Sequence, residues 1–158
     1  MSSADSEYTI VVAVDSVRTS GRAINHAFYL ASKLGTPYRL IVLHAVALNR
    51  PQGLPYIDNL DKASNIDIKA QAKQTVAQIH DYIRRFDGKV DYEIKTVEAQ
   101  GNVGPVIEAY IVENYPRLDL LITGTRNHQG LKKLMLGSTS EYFVHHLSCP
   151  VTIVKEAE

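Results

Sequence analysis

YTIVVAVD, residues 8–15, is apolar or β-branched at nearly every position and ends on a carboxylate. A strand with one wet face alternates apolar and polar residues, whereas a run without alternation is covered on both faces. Parallel sheets are built from such strands, because the helices that cross between them cover both surfaces. The stretch therefore predicts a central parallel strand, with a helix to follow. That helix is readable: Thr19 or Ser20 serves as its cap, Ala23, Ala27, Leu30, Ala31 and Leu34 share one face, and Gly35 closes it.

Outward from this unit the pattern repeats. YRLIVLHAVAL (Tyr38–Leu48) reads as a second apolar strand, and residues 49–60, with two prolines and a glycine, read as a loop and a candidate flap. From 61 to 86, Ala72, Val76, Ile79, Ile83 and Phe86 recur at helical spacing before Asp87-Gly88. Residues 89–99 alternate, with Val90, Tyr92 and Ile94 on one face, which predicts a strand near an edge. A turn at 101–104 leads to Pro105 as the first residue of a helix running to about Tyr115. LDLLITG, 118–124, is the fourth strand. Ser138 and Glu141 form a capping box for the last helix, which ends near Leu147. CPVTIVK, 149–155, is the fifth strand, and Pro150 at its start puts it on an edge.

Strands alternating with helices, joined by right-handed crossovers, predict an α/β architecture: an open five-stranded parallel sheet sandwiched by helices. The 158 residues are read as one domain, with 1–7 a flexible N-terminus. Seventeen Lys and Arg balance seventeen Asp and Glu, so no overall field favours nucleic acid or an anionic membrane, and neither is expected as a partner. No apolar run approaches the ~18 residues of a spanning helix, and the polar start MSSADSEY lacks the pattern of a secretory signal. A cytoplasmic protein is expected. The single cysteine, Cys149, makes no internal disulfide and is read as a buried structural thiol. The six histidines show no metal-ligand spacing, and His44 within the second strand is read as a hydrogen-bonded core histidine. Phosphate loops of the GxxxxGK[ST] and GxGxxG kinds and a GxSxG elbow do not occur.

In an open parallel sheet the ligand crevice lies at the carboxyl ends of the strands, where the winding reverses. Two features of GTRNHQGLKKLMLGST, 124–139, belong there. Gly124 closes the fourth strand without a β-carbon, and Gly137-Ser138 open the last helix, where unpaired N–H groups, the helix dipole and the Ser138 and Thr139 hydroxyls attract an anion. Each feature also occurs in proteins with no ligand. Asp15 accepts a hydrogen bond from a ligand or caps the turn that follows it, Arg126 forks onto phosphate or is a solvated loop arginine, and Lys132 and Lys133 read as solvated loop charges.

The stretch resembles the nucleotide motif of the universal stress protein family, Gly-x2-Gly-x9-Gly-Ser/Thr. Gly124, Gly137 and Ser138 match it, and Asn127 stands where the motif has its second glycine. Asparagine readily adopts a left-handed backbone, which suits the same loop. The resemblance extends through IVVAVDSVRTSGRAINHAFYLA, LIVLHAV, EAQGNVGPVIEAY and GSTSEYFVHHLSCPVTIVK, almost the whole chain. It implies an adenine-nucleotide alpha-hydrolase-like (Rossmann-like) fold and an ATP-binding module in stress response or energy sensing. By the same resemblance Ala13, Val14, Asp15 and Ala45 contact the adenosine, and Gly124, Arg126, Asn127, Gly137, Ser138 and Thr139 hold ribose and phosphates. ATP, or AMP or ADP, is the implied ligand, with Mg²⁺ arriving on the phosphates, and the implied assembly is a homodimer through VTIVK. Two alternatives stand beside this reading: a slow ATPase, with no catalytic residue assigned, and a nucleotide-free dimeric interaction protein.

Overall fold

The run that decided the fold forms β1 (Tyr8–Ala13), the middle strand of a parallel sheet with β2 (Tyr38–Leu48), β3 (Glu93–Gln100), β4 (Leu120–Gly124) and β5 (Val151–Val154). The computed structural model describes residues 7–125 and 136–156. The strand order is β3-β2-β1-β4-β5, so β3 and β5 are the edges, as read from the alternation of one and the proline of the other. The chain winds outward from β1 through β2 to β3, then returns to the other side of β1. The reversal falls between β1 and β4, where the ends of adjacent crossovers diverge and leave a crevice.

Side-chain parity divides the core into two layers. Ile10, Val12, Leu40, Val42 and Ile122 face α1 (Val17–Lys33) and α2 (Pro55–Ile83), meeting Ala23, Phe28, Ile79 and Ile83. Val11, Ala13, Ile41, Leu43 and Leu121 face α3 (Val103–Asn114) and α4 (Ser138–His146), meeting Ile107, Ile111 and Phe143. Successive residues of one strand serve opposite layers, which is why these strands carry no polar alternation.

Several boundaries differ from those read in the sequence, each for a local reason. The segment 49–60 is not all loop: α2 begins at Pro55, whose missing N–H costs nothing at a helix start, and Asp58 Oδ1 accepts from the Gln52 N–H at 2.7 Å. Asn65 then ties the end of β2 to α2, accepting from Asn49 N at 2.9 Å and donating to Asn49 O at 3.3 Å. The cap of α1 is Ser16, not Thr19 or Ser20; its hydroxyl accepts from Thr19 N at 3.2 Å, while buried Ser20 turns back to accept from Asp15 N at 3.1 Å. α3 starts at Val103 after Gly101, whose φ of +124° suits glycine, so Pro105 is its third residue, still within the first turn where N–H groups lack helical partners. α4 is capped by Gly137, and the Glu141 N–H already bonds Gly137 O at 3.0 Å; the Ser138–Glu141 capping box therefore does not form. β1 stops at Ala13, leaving Val14 and Asp15 on the turn, and β3 starts at Glu93, with buried Val90 preceding it.

Candidate functional site

A cleft opens at the carboxyl edge of the sheet over the β1–β4 reversal. Ala13 and Ala45 contribute small floor residues, Val103 and Ile107 of α3 an apolar wall, and Gly137, Ser138 and Thr139 the opening turn of α4. Val14, Asp15 and Gly124 complete the rim. Eight residues singled out in the sequence thus line one cavity although they come from four segments of the chain. Arg126, Asn127, Lys132 and Lys133 lie outside the described residues.

Hydroxyls and backbone amides dominate the polar lining. Asp15 is the only charged side chain among the described lining residues, and its Oδ2 accepts from the Thr19 hydroxyl at 3.4 Å. The start of α4 has no side-chain cap, so its first N–H groups are available to a ligand, and the positive end of the dipole favours an anion. Ser140, one turn into α4, donates to Gly124 O at 3.0 Å and fixes that helix start against the end of β4.

The two sides of β4 are treated differently at this point. Gly124 has the parity of Ile122 and faces α1. A β-carbon there would lie 2.8 Å from Glu156 Oε1 and 3.0 Å from the Thr19 carbonyl oxygen. The space that glycine leaves is therefore filled by the protein itself. Glu156 accepts from Arg22 N and Ala23 N, both at 3.1 Å, and its own N–H donates to the buried Thr125 hydroxyl at 3.2 Å. Thr123 has the opposite parity, that of Leu121, and faces the cleft.

The helices bordering the cleft are held together by a contact the sequence did not disclose. The Tyr142 ring of α4 lies against Gly104 in the first turn of α3, where a β-carbon would sit 2.8 Å from two ring carbons. The Tyr142 hydroxyl donates to Glu108 one turn further along α3, and that bond pushes the phenol pKa up. The His146 ring stacks on Tyr142 at 3.8 Å. Without a β-carbon at Gly104, the first turns of α3 and α4 approach closely enough to form one wall.

Thr19, Ser20, Val103, Ile107, Thr123, Thr125 and Ser140 also line the cleft and were not picked out as site residues. The signal available was parity: once β4 is known to end at Gly124, Thr123 must face α3 and α4. His44 is buried, with Nδ1 2.8 Å from Val14 O, and so positions the β1 turn as a core histidine. Cys149 is only half-buried, and that burial pushes its thiol pKa up, away from the reactive thiolate. Among the described residues no group of three His, Cys, Asp or Glu could hold a metal, and no helix is long and apolar enough to cross a membrane.

A five-stranded parallel sheet between helix layers, with a cleft over its reversal point, defines an open α/β protein of the doubly wound kind. The family model described as "Universal stress protein family" matches residues 8–155, and the chain belongs to that family. It is similar to the universal stress protein YxiE of Bacillus subtilis, 24% identical over 146 residues, which cover 92% of this chain and 97% of that one. Its fold is that of the universal stress protein UspA from Lactobacillus plantarum, with a TM-score of 0.71 at 24% identity, covering 93% of this chain and 97% of the other. A family protein from Arabidopsis thaliana, solved with AMP bound, shares the fold at a TM-score of 0.58 and 18% identity, covering 95% of this chain and 92% of the other. Other solved members are complexes with dAMP and with cAMP.

Proposed function

We propose that the cleft binds an adenine nucleotide, with ATP as the ligand that extends from the sheet floor to the start of α4. The observation that carries this reading is the convergence of Ala13, Asp15, Ala45, Gly124, Gly137 and Ser138 on one cavity. Small floor residues and the Val103–Ile107 wall suit a flat base, Asp15 suits a nucleoside donor, and the uncapped start of α4 suits phosphate. The AMP, dAMP and cAMP complexes of other members support an adenine nucleotide as the class of ligand. Arg126 and Asn127 complete the phosphate side, and Mg²⁺ enters with the phosphates. With Asp15 as the single charged residue among the described lining, the site binds nucleotide without rapid turnover. The protein acts as a homodimer joined through the β5 edge, and nucleotide occupancy reports the adenylate pool during stress.

Denaturing freshly purified protein and identifying the released small molecules, followed by calorimetric titration with ATP, ADP and AMP, tests the reading. Released nucleotide, or a dissociation constant below roughly a millimolar, is the expected result. An empty cleft that takes up none of the three would overturn it and leave the nucleotide-free interaction protein. Sedimentation at micromolar concentration checks the dimer, which a monomer would contradict.

A further inference from the structure

We propose that the hydroxyl of Thr123 hydrogen-bonds the nucleoside half of the bound nucleotide and contributes to its affinity. This rests on the reading of the cleft as an adenine-nucleotide site and goes beyond it by giving a side chain outside the motif a role in recognition. Four small hydroxyl residues are buried in the described structure, and three have partners: Ser20 accepts from Asp15 N, Thr125 accepts from Glu156 N, and Ser140 donates to Gly124 O. The hydroxyl of Thr123, a residue 6% exposed, has no hydrogen-bond partner among the described residues, its backbone groups being used by the ladders to β1 and β5. Its oxygen is not sealed in the core, since Asp61 Oδ2 is the one sealed and unpaired side-chain oxygen found among those residues. It opens into the cleft that Thr123 lines.

The surroundings make this hydroxyl conspicuous. Leu121 and Ile122 precede it, Ala13 is its register partner on β1, and Ile153 is its partner on β5. Valine has nearly the same shape and a higher preference for a buried strand, so packing alone gives no reason for an oxygen here. A polar atom with no partner, in an apolar floor at the mouth of a binding cleft, is satisfied by the ligand or by the water the ligand displaces. Thr123 adjoins the floor residue Ala13, and the Val103–Ile107 wall lines the same cavity, whereas the phosphates belong to the start of α4. The bond therefore goes to the nucleoside rather than to the phosphate chain.

The test is calorimetric titration of the wild type, Thr123→Val and Thr123→Ser with adenosine, AMP and ATP, with thermal melts of the free proteins. Thr123→Val should weaken all three ligands by a similar factor, about five- to tenfold for one neutral hydrogen bond, and leave the melting temperature unchanged or raised. Thr123→Ser, which keeps the hydroxyl, should stay within about threefold of the wild type. Unchanged affinities in Thr123→Val, or a loss confined to ATP with adenosine unaffected, would overturn the proposal. Failure of the wild type itself to bind any of the three would instead remove the nucleotide reading on which it rests.

Discussion

On the α1 side of the β4 end, the space left by Gly124 is filled by the Thr19 carbonyl and by the Glu156 carboxylate, which the Arg22 and Ala23 amides hold in place. On the α3–α4 side, one residue earlier, the Thr123 hydroxyl has no hydrogen-bond partner among the described residues, and the residue lines the cleft. Adjacent positions of one strand thus do opposite work: one closes the fold, the other leaves an opening. The difference separates two explanations that a motif merges, because a glycine at a strand end is required by whatever approaches it, and here that includes the protein's own Glu156 side chain.

The sharpest way to break this contrast is to add single carbons on each side. Gly104→Ala sets a β-carbon against the Tyr142 ring, which is hydrogen-bonded to Glu108 and stacked on His146, so the obstacle cannot easily move. A loss of about 2 to 3 kcal/mol of stability in urea denaturation is expected from such overpacking. Phosphate-bearing ligands should weaken as well, since α4 shifts with Tyr142. Gly124→Ala meets a backbone oxygen and a carboxylate that can swing away, so about 1 to 2 kcal/mol is expected. Adding Glu156→Ala should relieve part of that cost, and strict additivity in the double-mutant cycle would show that Glu156 is not what Gly124 accommodates.

Glu156→Ala alone removes the acceptor of two amide hydrogen bonds and should cost about 1 kcal/mol of stability. Because Glu156 does not line the cleft, AMP affinity should stay within roughly twofold, the reverse of the pattern expected for Thr123→Val. A large affinity loss in Glu156→Ala would show that the two sides of β4 are not independent. The smallest effect belongs to a pair away from both. Arg39 hydrogen-bonds Glu93 across the β2–β3 edge at 2.6 Å and holds its carboxyl below the usual range. A carboxylate with a lowered folded pKa stabilises the fold above its unfolded value, about 4.3, and that contribution is lost as pH falls through the folded value. Both side chains are 38–39% exposed, so screening limits the effect to about 0.5 kcal/mol. Glu93→Gln should therefore be slightly less stable at neutral pH, with the gap closing in acid unfolding titrations.

Legibility followed the length scale of the interaction. YTIVVAVD declared a strand buried on both faces because burial on both faces leaves no room for polar alternation, and the bounds of β2 emerged unchanged for the same reason. Both edges were readable, one from alternation and one from Pro150. Helix starts were less so. Ser16, Thr19 and Ser20 are all competent caps, and the choice among them depends on where β1 releases the chain; Pro55 punctuates a loop or opens a helix with equal ease. The motif glycines and Ser138 marked the cleft, but the role of Gly124 beside Glu156, 32 positions on, has no trace in local spacing.

The sequence by itself determined the α/β class, the two-sided burial of the sheet and the segments that meet at its carboxyl edge. These follow from periodicity and from glycine, proline and hydroxyl chemistry, which act over a few residues. Only the tertiary structure decided that Tyr142 fits against Gly104, that Glu156 closes one side of β4, and that, of the four buried hydroxyls described in the cleft lining, the Thr123 hydroxyl alone has no hydrogen-bond partner among the described residues. Those outcomes depend on which distant atoms occupy the few ångströms beside a given backbone, and close packing of separate segments sets that only once the chain has folded.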